Sequence, residues 1–225
     1  MDSKVCHRTE SDLNLDQLTR ALTLELGQQR IGGKTRDIGA VSALMARWNV
    51  TDRKNWEQFA QFDQDKSYTR NLISSDDVNF TLMMLCWNKG KLSPIHDHAN
   101  SECWVRIVSG TALEEQFIKD PCDESAPLQL KTVNTVPAGG VTHIHDRIGL
   151  HRLGNASSEH VMISLHCYSP PFRSCKVFPD KTSHGVDCNV SFYSVHGVKH
   201  ESITLGPSSV QNINSCCVDS ASNVA

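Results

Sequence analysis

The residues whose types and spacing could do chemistry cluster in one stretch, Gly90-Lys-Leu-Ser-Pro-Ile-His96-Asp-His98-Ala-Asn-Ser-Glu102-Cys103. Residues i and i+2 of an extended strand point to the same face. His96 and His98 can therefore aim two imidazoles at one point, as a bound metal ion requires. Neutral imidazole suits iron, copper, nickel or zinc, whereas magnesium and calcium prefer oxygen. With 11 histidines in 225 residues, a bare His-x-His arises easily by chance, so the flanking residues must carry the signal. A third donor is also needed. The chain offers His143-Ile-His145, itself a pair, and His151 in His151-Arg-Leu-Gly-Asn155, and spacing alone does not choose between them. Further on, Ser164, His166 and Tyr168 alternate along one run and so share a face.

Strands must position these groups, and the pattern supplies them. From Tyr68 to about Val195 short apolar runs recur: Phe80 to Trp87, Trp104 to Val108, Leu113 to Phe117, Leu128 to Val133 and Val161 to Tyr168. Turn signals separate them at Ser109-Gly110, Asp120-Pro121, Pro137-Ala-Gly139-Gly140 and Pro170-Pro171. Many short strands at this spacing predict a sandwich or barrel. Residues 11–62 read as helical instead. Leu15, Leu18, Leu22 and Leu26 form one stripe that Gly27 can end, and Val41, Leu44, Met45 and Trp48 repeat it. Thr51 or Asp52 could cap a third helix carrying Trp56, Phe59 and Ala60. These stripes predict packing against a sheet. The expected organisation is one structural domain: a helical segment over 1–66 packing on a barrel over 67–205, then a Ser- and Asn-rich tail over 206–225 that reads as disordered.

Composition narrows the classes. A formal charge of −3 gives no reason to expect nucleic acid or an anionic membrane as partner. Residues 1–12 lack an apolar signal region, and no run of about 18 apolar residues predicts a membrane span. The nine cysteines are odd in number and scattered, with no Cys-x-x-Cys, so they read as reduced thiols of a cytoplasmic protein.

Gly90-x5-His96-x-His98 resembles the first motif of the cupin superfamily, which continues to a glutamate, six residues and a glycine. Counting back from Gly110 lands on Cys103, so a cysteine stands where that motif usually has its carboxylate ligand. A one-residue change of register would turn Glu102 inward instead; Glu102 is expected to face solvent. The second cupin motif ends in His-x3-Asn, which His151 and Asn155 fit. His143-x-His145 lacks that ending and is expected on a strand edge or loop.

Five runs make the resemblance specific. Ser67-Tyr68-Thr69-Arg70-Asn71-Leu72, Leu85-Cys86-Trp87, Ile95-His96-Asp97-His98, Asp146-x-Ile148-Gly149-Leu150-His151-Arg152 and Ser164-Leu-His166-x-Tyr168-Ser169-Pro170-Pro171-Phe172 look like cysteine dioxygenase, in that family's order, from about residue 60 to 175. The resemblance implies a mainly β fold, a cupin-type β-barrel or jelly roll with N-terminal α-helices. It implies one non-haem Fe(II) per chain, held by His96, His98 and His151. The implied reaction uses O2 to oxidise L-cysteine to 3-sulfinoalanine (cysteine sulfinic acid), the first step of cysteine catabolism toward hypotaurine, taurine and sulfate. Arg70 would bind the substrate carboxylate, with Tyr68 beside it, since a guanidinium can grip a carboxylate through two parallel hydrogen bonds. Tyr168, Cys103 and His166 would be catalytic. Ser164 and His166 would form a relay to the Tyr168 phenol, and Cys103 would join Tyr168 in a thioether. Leu85 and Trp87 match pocket-lining positions, and Cys175 matches a cysteine near the pocket mouth. A monomer is implied. The alternatives are a dioxygenase for another small carboxylate-bearing thiol, or a non-catalytic metal-binding cupin. Glu102 departs from the histidine that vertebrate members commonly carry there.

Overall fold

The computed structural model describes residues 12–32, 36–123, 125–182 and 184–204. The expectations for the N-terminal 11 residues and for the tail from 206 lie outside the described residues.

Helix α1 (Leu15–Ile31) starts at a capping box: Asn14 accepts from the Gln17 amide, and the Gln17 side chain accepts from the Asn14 amide. Leu15, Leu18, Leu22 and Leu26 are all buried, as their stripe predicts. Gly27 does not end this helix; Gly32 does, with its amide on the Gln28 carbonyl at 2.9 Å. A mid-helix glycine costs about 1 kcal/mol. Continuing the helix buries Gln29, whose side chain accepts the Asp37 amide and so links α1 to α2 (Ile38–Ala46). The expected third helix is two 3-10 turns, Arg53–Asn55 and Glu57–Phe59. Asp52 makes no capping hydrogen bond, and Trp56 at φ −140° breaks the helical path between the turns.

Among the described residues thirteen strands follow: β1 (Tyr68–Ser75), β2 (Thr81–Trp87), β3 (Ile95–His96), β4 (Glu102–Ser109), β5 (Thr111–Ile118), β6 (Gln129–Pro137), β7 (Val141–Ile144), β8 (Leu150–Asn155), β9 (Met162–Ser169), β10 (Ser174–Phe178), β11 (Val186–Asn189), β12 (Ser191–Val195) and β13 (Val198–Thr204). They form a seven-stranded sheet in the order β13-β12-β1-β2-β9-β4-β7 and a six-stranded sheet in the order β11-β10-β3-β8-β5-β6. The strand runs predict a sandwich or barrel, and this is the mainly β jelly-roll arrangement with N-terminal helices that the resemblance implies.

Alternation along the strands separates two cores. In β2, Met83, Leu85 and Trp87 join the core between the sheets, with Cys103, Val105 and Ile107 of β4. Leu82, Met84 and Cys86 face the other way, with Trp104, onto the leucines of α1 and Val41 and Met45 of α2. The central strands β2, β9 and β4 of this sheet are thus buried on both faces. Trp104 Nε1 donates to the Ile38 carbonyl (3.2 Å), and Arg106 Nη1 to the Met45 carbonyl at the end of α2 (2.8 Å). This arrangement corrects the expectation for Glu102. It lies on the outer face of β4, but that face is covered, and Glu102 is only 5% exposed.

Candidate metal centre and adjoining pocket

The six-stranded sheet and the turn that leaves β3 supply three imidazoles. His96 on β3 is the direct cross-strand partner of His151 on β8. β3 is only two residues long, so His98 sits just beyond its end, where its amide donates to Asp146 Oδ1 (2.7 Å) rather than continuing the ladder. The three rings converge. Their centroids are 5.0 Å (His96–His98), 4.8 Å (His96–His151) and 4.7 Å (His98–His151) apart, and one ligand atom from each lies within 4.8 Å of the others.

The outer nitrogens face oxygens. His96 Nδ1 donates to the Pro94 carbonyl (3.0 Å), and His151 Nδ1 to Glu114 Oε1 (2.9 Å). His98 Nδ1 is 3.7 Å from Asp146 Oδ1, an electrostatic contact too long for a hydrogen bond. Oriented in this way, the rings can present Nε2 to a shared centre. His98 is fully buried with neither ring nitrogen hydrogen-bonded, and a metal ion would satisfy that orphaned donor set. Burial, reinforced by the neighbouring imidazoles, keeps the protonation constants low. His96 falls well below the ordinary value, and His98 drops to about 4 despite Asp146. Their lone pairs are therefore available at neutral pH. Burial alone would raise the Glu114 carboxyl, but the hydrogen bond and charge of His151, with hydrogen bonds from Asn134 and Gln116, together outweigh it and hold the carboxyl below its ordinary value.

The seven-stranded sheet faces this cluster with a different chemistry. On β1, Arg70 Nη2 donates to the Tyr68 hydroxyl (2.8 Å), and its guanidinium carbon lies 4.9 Å from the Tyr68 ring centroid. Tyr68 in turn packs on Trp87, centroids 4.5 Å apart. The positive charge of Arg70 is felt at His96, His166 and Tyr168: it adds to the burial that lowers both imidazoles and opposes the burial that raises the phenol. On β9 a hydrogen-bonded chain runs inward: Trp87 Nε1 donates to Ser164 Oγ (2.8 Å), Ser164 Oγ pairs with His166 Nε2 (2.8 Å), and His166 Nδ1 with the Tyr168 hydroxyl (3.1 Å). Burial keeps His166 neutral. Every polar atom of the chain is satisfied if Ser164 donates to Nε2 and Nδ1–H donates to the phenol oxygen. The Tyr168 O–H is then left beside Cys103, its other hydrogen-bonding neighbour. The Tyr168 ring stacks on His98, centroids 6.3 Å apart at 25°.

Cys103 and Tyr168 are direct partners across the β4–β9 ladder. Side chains so placed start about 4.5–5.5 Å apart at Cβ. Burial pushes both the thiol and the phenol well up, so each carries its proton at neutral pH. Cys175, on β10, is likewise raised, to about 11. Glu102 points away from all of these. It accepts from Arg147 Nη2 (2.5 Å) and His143 Nε2 (2.8 Å), with His145 Nε2 at 3.8 Å. His143 and His145 thus serve Glu102 and stand outside the imidazole cluster.

The sequence reading did not single out Glu114 or make Asp146 an anchor of the metal loop. No sequence signal marks the first, because alternation counted back from Phe117 turns Glu115 rather than Glu114 inward.

Comparison with known proteins agrees with this geometry. The family model described as Cysteine dioxygenase type I matches residues 11–181. Cysteine dioxygenase type 1 of Homo sapiens is 35% identical over 188 residues, which is 84% of this chain and 92% of the human protein. The Rattus norvegicus protein of the same name is 33% identical over the same shares, and that of Danio rerio 36% identical over 64% of this chain and 71% of its own. On the family match and these identities, the chain belongs to the cysteine dioxygenase type I family, and as a member of it is an oxygenase.

Proposed function

We propose that this protein is a non-haem Fe(II) dioxygenase that converts L-cysteine and O2 to 3-sulfinoalanine, feeding cysteine breakdown toward hypotaurine, taurine and sulfate. The observation that carries the reading is a guanidinium, Arg70, facing a cluster of three imidazoles, two of them buried, across the barrel interior. His96, His98 and His151 would hold the metal. An all-nitrogen neutral donor set suits iron and leaves its charge uncompensated for an anionic thiolate. Bound there, Fe(II) would supply the redox chemistry that joins a thiolate to O2.

The protein's own groups do the rest. Arg70 binds the substrate carboxylate and is held in place by Tyr68. Trp87, Ser164 and His166 fix the Tyr168 phenol, whose hydroxyl can donate a proton or hydrogen bond beside the metal. Cys103 is placed to join Tyr168 in a thioether. The reaction balances as one thiol plus one O2 giving one sulfinic acid. The helical segment over 1–66 and the barrel over 67–205 act as one domain, supported by the bonds of Trp104 and Arg106 to α2. We read the enzyme as a cytoplasmic monomer.

The test is O2 uptake by the Fe(II)-loaded full chain with L-cysteine, cysteamine or 3-mercaptopropionate, with the product identified by mass. Preferred consumption of L-cysteine and a sulfinate product are expected. No uptake, or a preference for either other thiol, would overturn the reading.

A further inference from the structure

Residues 97–101 connect the two halves of the site. They carry His98 to the imidazole cluster and decide where β4 begins, and β4 begins with Glu102 and Cys103 on opposite faces. The connection is a tight turn in which Ala99 and Asn100 both take left-handed angles, φ 48° and 62°. That backbone is strained for a residue with a Cβ, less so for asparagine. A turn so strained keeps its shape only when its surroundings hold it.

One short segment, residues 143–147, holds both ends. Asp146 accepts the amides of His98 and Asn100, each at 2.7 Å. Arg147 and His143 donate to Glu102, and the Arg147 amide donates to His145 Nδ1 (2.9 Å), which ties the segment to itself. Glu102 is buried at its end of this strut, whereas the Arg147 side chain is 69% exposed.

We propose that Glu102, gripped by Arg147 and His143, is a positioning residue that sets the register at the start of β4. It keeps Cys103 turned toward Tyr168 and keeps a carboxylate away from the three imidazoles. This rests on reading Cys103 and Tyr168 as crosslink partners. Glu102 and Cys103 are neighbours, so a local one-residue slip exchanges their faces. The inward position would then present a carboxylate, a competent ligand for the same metals as imidazole, and Cys103 would face α2. The strut opposes that exchange, because Glu102 can turn inward only by leaving two charge-assisted partners. The crosslink removes the Cys103 S–H and one ring C–H beside the Tyr168 hydroxyl. It forms one C–S bond and gives up two protons and two electrons, which O2 accepts to become hydrogen peroxide.

The measured quantity is the fraction of chains crosslinked per sulfinate formed. The Fe(II)-loaded full chain is incubated with L-cysteine in air, and the crosslink reads as a loss of about 2 Da in intact mass. In Arg147→Ala and Glu102→Gln the ratio is expected to fall roughly two- to five-fold, within the range open to a salt bridge with one exposed partner. Arg147→Lys should recover part of it. A contact that merely stabilises the fold would lower turnover and crosslinking together, and an unchanged ratio in Arg147→Ala would overturn the proposal. Because Arg147 is exposed, that variant folds and keeps the test decisive even where Glu102→Gln does not. A wild-type chain that makes sulfinate but no crosslink overturns the crosslink reading and the strut with it. A wild-type chain that makes no sulfinate overturns the proposed function before any variant is measured.

Discussion

Replacing Arg70 with alanine removes the one cation assigned to the substrate carboxylate. A hydrogen bond to a charged group is worth roughly 1.5–3 kcal/mol. At about 1.36 kcal/mol per decade, that is roughly a 10- to 150-fold loss in kcat/KM for L-cysteine. The carboxylate is held alike before and during reaction, so the loss should fall mainly on KM. Alanine also releases the Tyr68 hydroxyl from its 2.8 Å bond and strips the charge lying over the Tyr68 ring. Those secondary effects strike any thiol substrate, and cysteamine, which lacks a carboxylate, isolates them. O2 uptake is measured for wild type, Arg70→Ala and Arg70→Lys with both thiols. The cysteine loss should exceed the cysteamine loss by the factor above. Lysine should be intermediate, because it keeps the charge but not the two-pronged grip. An equal loss for both thiols would refute the assignment, since Arg70 would then act only through Tyr68 and the pocket wall.

Glu114→Gln keeps the shape beside His151 but removes the charge that accepts from its Nδ1. Metal affinity measured by competition with a chelator should drop roughly 10- to 100-fold, and an unchanged affinity would show that the ring orients itself. For the metal-free protein, acid should be destabilising between pH 6.5 and 4. His98 titrates near pH 4 in the fold but near 6.5 unfolded, so in that window the unfolded chain binds the extra proton. The loss is roughly 3 kcal/mol by pH 4 from His98 alone, with His96 and His166 acting in the same direction. It reads as a falling urea midpoint, and a midpoint that stays flat across that window would contradict it.

Much of the site was visible in the chain because alternation on a strand is a rigid rule. Tyr68 and Arg70, and likewise Ser164, His166 and Tyr168, needed only period-2 spacing to be placed on one face. What the sequence could not show depends on what covers each face. Glu102 reads as a solvent residue when one side of a sheet is assumed wet, yet α2 and the 143–147 segment close over that side. Glu114 was hidden by a bulge: the β5–β6 register shifts between Gln116 and Phe117, so these neighbours are both buried. Read from Phe117 backward, the alternation assigns Leu113 and Glu115 to the core instead of Glu114. Gly27 was a reasonable stop signal on propensity, but tertiary contacts of α1 outweigh one glycine.

The pairing of Cys103 with Tyr168 across adjacent strands reaches beyond catalysis. A covalent bond there would tie the chain into a ring of about 65 residues, with β8 and its His151 inside and β3 outside. Polymer entropy makes such a tie act on the unfolded chain: closing a loop of this size removes roughly 4 kcal/mol of disorder from it. An enzyme that crosslinks itself while working would thereby age into a more durable molecule, with its lifetime written by its own use.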